Sequence, residues 1–400
     1  MDAGTLTPRF EFATSARIVF GAGTAEGEAP RALRAAGATR VLVVTGARRG
    51  AARAQPIAAA IEREGLPCAT VAVRGEPTIE LAREGALAAT AHRADAVVAI
   101  GGGSVLDAGK AIAALAANGG DPLDYLEVIG RGRALEKGSL PLVAIPTTAG
   151  TGSEVTRNAV LASKTERVKA SLRSALMLPR VAIVDPDLLE GAPPEVLSSS
   201  GLDALSQLIE PFLSLKATPL TDAIAREGIA RSARSLRRAV LEEADARARE
   251  DLALASLFGG LCLANAGLGA VHGFAAPAGG MFEAPHGAVC AALLGAVMEV
   301  NLRATRARGG PASGTVGRFD EIARIVTGRS DARADDGIAW VRELVGALRV
   351  PGLSRYGMTA ADVPSLVEKA KSASSMKANP LVLTHEELVE IAERSLVLGG

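Results

Sequence analysis

The sequence is poor in cysteine, and the cysteines it has do not form a recognisable pair. Its 400 residues contain three of them, Cys68, Cys262 and Cys290, which are odd in number, far apart and outside any CxxC motif. Secreted domains held together by disulfides have dense, evenly numbered cysteines. We therefore expect reduced thiols and a cytoplasmic protein.

The sequence also lacks an excess of either charge and a long uninterrupted apolar run. Lysine plus arginine number 44, as do aspartate plus glutamate, so we expect neither nucleic acid nor an anionic membrane as a partner. Residues 1–21 contain no apolar core of a signal peptide. The most apolar stretch, 255–271, contains Asn265 and is short for a membrane span. We predict a buried helix there.

Two domains are expected, because 400 residues, 48% of them hydrophobic, exceed what one compact core usually holds. Up to about residue 187, continuous apolar strands alternate with helical segments. This alternation indicates a parallel sheet covered by helices on both faces. The predicted strands are 40–46, 68–73, 95–104, 140–148 and 180–186, and the predicted helices are 55–64, 81–94 and 105–118.

After residue 187 the pattern changes to long helical segments, and strand patterns nearly vanish. We therefore predict an α/β domain over residues 1–187 and an all-helical domain over residues 188–400. The predicted helices of the second domain are 195–214, 218–240, 246–268, 286–303, 317–327, 334–347, 360–371 and 384–397.

The segment VVAIGGGSVLDAGK (97–110) carries the strongest local signal. A buried strand ends, three glycines turn the chain and a helix begins. Glycines let the backbone approach a ligand closely, and the N–H groups at a helix start favour phosphate. We predict phosphate binding here, with Ser104 capping the helix or donating to the phosphate. Asp107 and Lys110 are expected within reach of the same ligand. A plain strand-to-helix turn is the alternative.

A second polar loop, PTTAGTGSEVT (146–156), follows another apolar strand. Open α/β sheets bind ligands at the carboxyl ends of their strands. We therefore predict that this loop lies at the ligand site, with an ordinary surface loop as the alternative. Its hydroxyl donors are Thr147, Thr148, Thr151 and Ser153.

The end of the first predicted strand bears on the choice of cofactor. An acidic residue at this position would pair with a ribose 2′-hydroxyl group. The sequence has Gly46 there, followed by Arg48 and Arg49, which leaves room for a 2′-phosphate and supplies cations for it. The pattern favours NADP over NAD, while arginines on a surface loop without a ligand are the alternative.

Four polar residues stand out in the apolar helical half. Asp203 and Gln207 are four residues apart and share one face of a predicted helix. His272 and His286 are fourteen residues apart, and each is followed by glycine. The spacing fits either hydrogen-bonded core residues or a set of four metal ligands from three helices.

Five motifs and their order along the chain make the sequence resemble the iron-containing (group III) alcohol dehydrogenases over nearly the whole chain. The resemblance implies a Rossmann-like N-terminal domain and an all-helical C-terminal domain, with NAD(P) across the cleft between them. The motifs are GGGSVLDAGK, PTTAGTGSE, DPDLL, GLDAL and the pair VHG and PHG.

The same resemblance implies roles for individual residues at the cofactor. The pyrophosphate of NAD(P) would lie on Gly102, Gly103 and Ser104, and Thr147 and Thr148 would line the nucleotide site. Lys169, which follows the second loop in the sequence, is expected to help close the cleft near the cofactor.

The resemblance also implies that the family's divalent metal, Fe²⁺ or Zn²⁺, would be held by Asp203, Gln207, His272 and His286. Two positions depart from the family's pattern. Gln207 stands where most relatives have histidine, and a neutral amide binds Fe²⁺ or Zn²⁺ more weakly than imidazole. Ala276 stands where many relatives have a histidine near the nicotinamide.

The expected function is an NAD(P)-dependent alcohol dehydrogenase or aldehyde reductase with metal-assisted hydride transfer, in which Asp203, His272 and His286 are the catalytic ligands. A metal-independent reductase resembling the maleylacetate reductases is the main alternative. A lyase resembling dehydroquinate synthase is disfavoured, because residues 255–290 contain no lysine or arginine. A nucleotide-binding protein without catalytic activity is the remaining alternative.

The substrate is expected to be a small uncharged alcohol or aldehyde. Phe274, Met281 and Phe282 are the residues expected at the cleft from the helical side, and all three are apolar. The resemblance further implies a homo-oligomer, most simply a dimer.

Overall fold

A six-stranded sheet forms the centre of the first half of the chain. The structure, a computed structural model, describes residues 9–163, 165–166, 168–242, 245–282, 284–309 and 314–398. The strand order is β1-β8-β5-β4-β2-β3, and every neighbouring pair is parallel. The strands of the sheet are β1 (Arg17–Phe20), β2 (Val41–Gly46), β3 (Cys68–Val73), β4 (Ala96–Gly101), β5 (Leu142–Pro146) and β8 (Val181–Val184).

Helices cover both faces of this sheet, as the sequence predicts. Side chains of β2 alternate between two core clusters. Val41 and Val43 pack with residues of α1 and α2, whereas Leu42 and Val44 pack with residues of α3 and α4 on the other face. Burial on both faces is the reason these strands are continuously apolar. The helices of this half are α1 (Ala25–Ala35), α2 (Arg49–Arg63), α3 (Ile79–His92), α4 (Gly103–Asn118) and the short α5 (Pro122–Tyr125).

An antiparallel hairpin, β6 (Asn158–Ser163) and β7 (Val168–Arg173), is absent from the sequence-based prediction. Ala159 and Leu161 of β6 are buried while their neighbours are half-buried, so the hairpin has the two-residue period of a strand with one covered face. Its apolar residues are too few to stand out from the polar loop before it.

The second half of the chain is helical, as predicted. In the described residues no strand follows β8, and the predicted boundary at residue 187 falls between the end of β8 and the start of α6. One large core cluster runs through these helices and includes Phe212, Phe274 and Phe319. The helices are α6 (Pro194–Leu213), α7 (Pro219–Leu241), α8 (Ala246–Ala266), α9 (Ala270–Met281), α10 (His286–Arg308), α11 (Thr315–Thr327), α12 (Ala334–Ala347), α13 (Val363–Ser372) and α14 (His385–Arg394).

The chain bends by 99° between α8 and α9. The sequence predicts a helix over 246–268 and no helix between residues 268 and 286, so α9 is a further difference. Gly267 ends α8 with φ +71, a left-handed conformation that glycine adopts without strain. After the bend, His272 of α9 contacts Asp203 and Glu210, both of which lie in α6.

Helix α10 is apolar and long enough to cross a membrane, and the bent pair of α8 and α9 passes the same test of length and composition. Of the most apolar window of α10, however, 78% is buried inside the protein. Buried apolar helices are typical of the cores of large domains.

The two halves of the chain touch backbone to backbone at Gly152 and Gly260. Gly152 lies in the loop after β5 with φ +58, and Gly260 lies in α8. A Cβ atom added to Gly152 would lie 2.4 Å from the Cα atom of Gly260, and one added to Gly260 would lie 2.3 Å from the Gly152 carbonyl oxygen. Only glycine at both positions permits this approach.

Candidate active site

Three helices bring Asp203, His272 and His286 together. Asp203 lies in α6, His272 in α9 and His286 at the first position of α10. The Asp203 Oδ1 atom is 3.3 Å from the His272 Nε2 atom and 3.7 Å from the His286 Nε2 atom. The two imidazole rings have centroids 5.4 Å apart. Asp203 and His272 are buried, while the His286 side chain is 33% exposed, so the cluster opens towards the surface on the His286 side.

Cys290 completes this cluster, although the sequence-based prediction omits it. Its Sγ atom lies 3.7 Å from the His272 Nε2 atom and 3.6 Å from the His286 Nε2 atom. One ligand atom from each of the four residues, Asp203 included, lies within 4.8 Å of every other. The available signal is the spacing HGAVC, since residues four apart share one face of a helix.

Glu210 fixes the orientation of His272. The His272 Nδ1–H group donates to the Glu210 carboxylate at 2.6 Å, which leaves Nε2 as the nitrogen with a free lone pair. The other carboxylate oxygen of Glu210 accepts the Val271 N–H group at 2.6 Å. Glu210 therefore caps α9 and selects the tautomer of its histidine. It lies seven residues after Asp203 on the same side of α6, and the sequence-based prediction omits it.

At the start of α9, the side chains of Asn379 and Glu210 lie close to the backbone of Gly269. Gly269 precedes the helix and has no side chain to satisfy its first N–H groups. Asn379 supplies one acceptor, for Ala270, at 3.1 Å. A Cβ atom on Gly269 would lie 2.9 Å from the oxygens of both Asn379 and Glu210. The absence of a side chain thus lets the two capping groups reach the helix that carries His272.

Burial and neighbouring charges act against each other in this cluster. Burial alone would raise the pKa of Asp203, but the charges of His286 and His272 and a hydrogen bond from Gln207 lower it to about 2. Burial likewise opposes a charge on His272, yet Cys290, Asp203 and Glu210 hold its pKa well above its ordinary value. The pKa of His286 is also raised, against burial, by Cys290 and Asp203. The cluster therefore attracts positive charge strongly.

The unpartnered atoms of the cluster fit a divalent cation. Within the described residues, Asp203 Oδ1 and Gln207 Oε1 are buried and have no hydrogen-bond donor. The Gln207 amide nitrogen is 3.4 Å from the Gly150 carbonyl oxygen. When the His272 imidazole is neutral, two lone-pair atoms, Asp203 Oδ1 and His272 Nε2, face each other at 3.3 Å. Burying unpaired acceptors is costly, and a metal ion among them removes that cost.

The two predicted cofactor loops lie against each other at the carboxyl ends of β4 and β5. A Cβ atom on Gly102 would lie 3.1 Å from the Thr148 side chain, and one on Gly103 would lie 2.7 Å from the Thr151 side chain. Gly102 precedes α4 and offers no side chain to its first N–H groups, which leaves them for an anion. Ser104 lies in the first turn of α4 and does not cap it.

Asp107, Lys110 and Ser153 bind one another instead of facing open space. The Ser153 hydroxyl donates to Asp107 at 2.6 Å, and Asp107 also accepts the Val160 N–H group at 2.9 Å. Lys110 is fully buried and bonds to Asp107, to the Ser153 carbonyl oxygen and to the Thr156 hydroxyl. The prediction that Lys110 reaches a ligand is wrong. Cofactor contacts of Asp107 and Ser153 stay predictions, and the structure shows that both fix the loop to α4.

The remaining cofactor candidates lie around the same edge of the sheet. Gly46 ends β2, which pairs with β4, and a Cβ atom there would be 3.8 Å from Val105 in the first turn of α4. Arg48 is exposed with φ 52 just before α2. Thr147, the first residue after β5, is buried, and its N–H group donates to the Gly101 carbonyl oxygen.

Lys169 bridges the two halves of the chain. Its ammonium group pairs with Glu76 at 3.0 Å, and a Cβ atom on Gly279 of α9 would lie 3.1 Å from it. Of the three apolar residues predicted at the cleft, Phe274 does not lie there. Phe274 is wholly buried in the helical core, because it lies two residues after His272 and so points to the other side of α9. Met281 and Phe282 are half-buried.

Comparison with known proteins agrees with this architecture over most of the chain. The family profile "Iron-containing alcohol dehydrogenase" matches residues 15–186, and "Fe-containing alcohol dehydrogenase family, C-terminal" matches residues 197–396. Alcohol dehydrogenase 4 of Schizosaccharomyces pombe is 34% identical over 325 residues, which are 81% of this chain and 74% of that protein.

Solved structures give the same result. A crystal structure of a 1,3-propanediol oxidoreductase superposes with a TM-score of 0.89 at 30% identity, covering 97% of this chain and 100% of that one. Sulfoacetaldehyde reductase from Bifidobacterium kashiwanohense, solved in complex with NAD⁺, superposes with a TM-score of 0.84 at 27% identity, covering 97% of this chain and 99% of that one.

Proposed function

This chain belongs to the iron-containing alcohol dehydrogenase family and is an NAD(P)-dependent alcohol oxidoreductase, and we propose that it interconverts small uncharged alcohols and aldehydes with a bound divalent metal and with NADP in preference to NAD. The observation that carries the metal-dependent reaction is the buried cluster of Asp203, His272 and His286, in which Asp203 Oδ1 and Gln207 Oε1 have no hydrogen-bond donor among the described residues.

Asp203, Gln207, His272 and His286 are the residues proposed earlier from the sequence to hold the metal. A divalent metal supplies Lewis-acid polarisation of an alcohol oxygen, and the nicotinamide supplies the hydride acceptor. Asp203 contributes the negative charge that attracts the cation, and Glu210 keeps His272 in the tautomer with Nε2 available. The partly exposed His286 lies where the cluster opens, so we place the substrate on that side.

The cofactor-binding half of the proposal is supported by the two loops around the start of α4. Gly102 and Gly103 leave the first N–H groups of that helix for the pyrophosphate, and Thr148 and Thr151 lie against these glycines. The NADP preference follows from Gly46 and Arg48. A glycine at the end of β2 does not repel a 2′-phosphate, and an exposed arginine two residues later can pair with it.

The substrate class, assembly and location extend the proposal. Met281 and Phe282 are half-buried and apolar at the end of α9, which favours an uncharged substrate. The cysteines are free thiols in the structure, which fits a cytoplasmic protein. We propose a homodimer, and analytical ultracentrifugation of the purified protein tests this stoichiometry.

The test of the proposed function combines metal analysis with steady-state kinetics. Protein purified without chelator is expected to contain about one divalent ion per chain, and chelation is expected to abolish turnover of short-chain alcohols and aldehydes. The kcat/KM value with NADPH is expected to exceed the value with NADH. Full activity in protein that contains no metal would instead establish the metal-independent reductase, the alternative that the cluster disfavours. Tight NADPH binding without turnover across the panel would refute an enzymatic role.

A further inference from the structure

We propose that Cys290 is a thiolate ligand of the metal and that the set Asp203, His272, His286 and Cys290 favours Zn²⁺ over Fe²⁺. This inference rests on the metal-dependent reaction proposed above and changes the set of ligands that the sequence predicts. Cys290 supplies the fourth strong donor at a site where Gln207 replaces the usual histidine.

The distances from Cys290 Sγ and Asp203 Oδ1 to the two imidazole nitrogens, four of the six distances within the set, have the lengths that a tetrahedral ion requires. With Zn–S bonds of about 2.3 Å and Zn–N or Zn–O bonds of about 2.0–2.1 Å, tetrahedral geometry separates sulfur from nitrogen by about 3.6 Å and nitrogen from oxygen by about 3.4 Å. Cys290 Sγ lies 3.7 and 3.6 Å from the Nε2 atoms of His272 and His286. Asp203 Oδ1 lies 3.3 and 3.7 Å from the same two atoms.

With neutral imidazoles and a protonated thiol, the states in which these residues would enter metal binding, hydrogen bonding alone does not satisfy this arrangement. The thiol of Cys290 has one hydrogen, but its sulfur is within hydrogen-bonding distance of two imidazole nitrogens. Since Glu210 takes the Nδ1–H group of His272, the Nε2 atom of the neutral imidazole faces both Cys290 and Asp203 with a lone pair. One cation among the four atoms pairs with every one of them.

The charges of the ligands and the softness of the thiolate sulfur favour Zn²⁺. Asp203 and a Cys290 thiolate together carry two negative charges, which neutralise a divalent cation in a buried site, while Gln207 contributes none. Thiolate is a soft ligand that favours Zn²⁺, and two imidazoles with one thiolate and one carboxylate form a four-coordinate zinc set, which would expand to five-coordinate when an alcohol oxygen binds. The thiol proton leaves to solvent when the metal binds.

The first test uses Co²⁺ in the full-length protein after removal of metal by chelation. We expect tetrahedral d–d bands together with a sulfur-to-cobalt charge-transfer band in the near ultraviolet. Cys290→Ser is expected to keep the d–d bands, lose the charge-transfer band and bind Zn²⁺ at least about tenfold more weakly, with a smaller loss for Fe²⁺. Cys262→Ser is the matched control, because Cys262 is a buried cysteine in α8 whose Sγ atom contacts the Thr221 carbonyl oxygen 3.5 Å away. It is expected to keep the spectrum and the affinity.

A second measurement needs no variant. X-ray absorption at the zinc edge of the wild-type protein is expected to show one sulfur neighbour at about 2.3 Å beside nitrogen and oxygen at about 2.0–2.1 Å. A bound metal with only nitrogen and oxygen neighbours, or a charge-transfer band that survives in Cys290→Ser, would overturn the role of Cys290 and leave the proposed function intact. Failure of the wild-type protein to bind any divalent ion would overturn both.

Discussion

Glu154 is a buried carboxyl group whose removal is expected to change how stability depends on pH. It lies in the 3₁₀ turn after the loop with the cofactor threonines and is 1% exposed. Within the described residues, neither of its carboxyl oxygens has a hydrogen-bond donor. Burial raises its pKa from 4.5 to about 7, although its own backbone N–H group and the charge of Lys110 act in the opposite direction. Glu154→Gln replaces this group with a neutral side chain of the same shape.

The sign and size of the effect follow from the two pKa values. Because the folded chain binds a proton at Glu154 more tightly than the unfolded chain, the free energy of unfolding falls as the pH rises from 4.5 to about 7. Each tenfold change in proton affinity corresponds to about 1.36 kcal/mol, so the full change is roughly 3 kcal/mol. Above pH 7 the contribution is constant. The Glu154→Gln variant lacks this term at every pH.

Urea unfolding at several pH values between 4.5 and 8 provides the assay, followed by far-ultraviolet circular dichroism and by the fluorescence of Trp340, the single tryptophan. The stability of Glu154→Gln relative to wild type is expected to rise with pH and then level off. Glu136→Gln makes the same chemical change at an exposed site and is expected to give a flat difference. A flat difference for Glu154→Gln as well would refute the reasoning.

Three further predictions concern the metal, the contact between the halves and the cofactor. Glu210→Gln is expected to weaken metal binding about 10–100-fold, because the tautomer of His272 is no longer enforced; isothermal titration with Zn²⁺ measures this, and unchanged affinity would contradict it. Gly152→Ala is expected to destabilise the protein by about 2–4 kcal/mol in urea unfolding, from a backbone clash and a left-handed φ. The exposed helical control Gly317→Ala is expected to be neutral or stabilising, and equal effects of the two changes would count against the clash. Gly46→Asp is expected to lower the ratio of kcat/KM with NADPH to that with NADH at least about tenfold, since like charges near a protein surface repel by roughly 1–4 kcal/mol; an unchanged ratio would mean that the 2′-phosphate lies elsewhere.

The architecture was predictable because its signals are local and repeated. Continuous apolar strands such as 40–46 separated by amphipathic helices admit few arrangements other than a covered parallel sheet. The hairpin of β6 and β7 was not predictable by the same route, because only alternate residues of it are buried. Helix α9 was missed because the bend that creates it depends on Gly267, one of several glycines in an apolar stretch.

The candidate site was predictable where residue types are rare and spacings are helical. His272 and His286 stand out among four histidines, and Asp203 stands out in an apolar helix. Cys290 and Glu210 were not singled out, because cysteine and glutamate are unremarkable in their surroundings until the helices pack together. Their roles depend on tertiary contacts. Glu210, for example, bonds to residues 61 and 62 positions further along the chain, a separation at which sequence periodicity carries no information.

For Lys110 the sequence predicts a ligand contact that the structure does not show. Its position on the first turns of α4 suggests a cation facing a phosphate, but the lysine folds under the neighbouring loop and is fully buried. Burial lowers its pKa, while Asp107 and Glu154 oppose this effect. The direction in which a side chain leaves its helix, and not its place in a motif, decides whether it meets ligand or protein.

The contact between Gly152 and Gly260 has a consequence for exchanging domains between relatives. A hybrid enzyme that joins residues 1–187 of this chain to the helical half of another family member brings two independently chosen backbones to within contact distance at this point. Such a hybrid can close its cleft only if the donor also has glycine opposite Gly152. Whether two halves from different family members fit together would then depend on the residues at these two positions more than on the overall similarity of the two sequences.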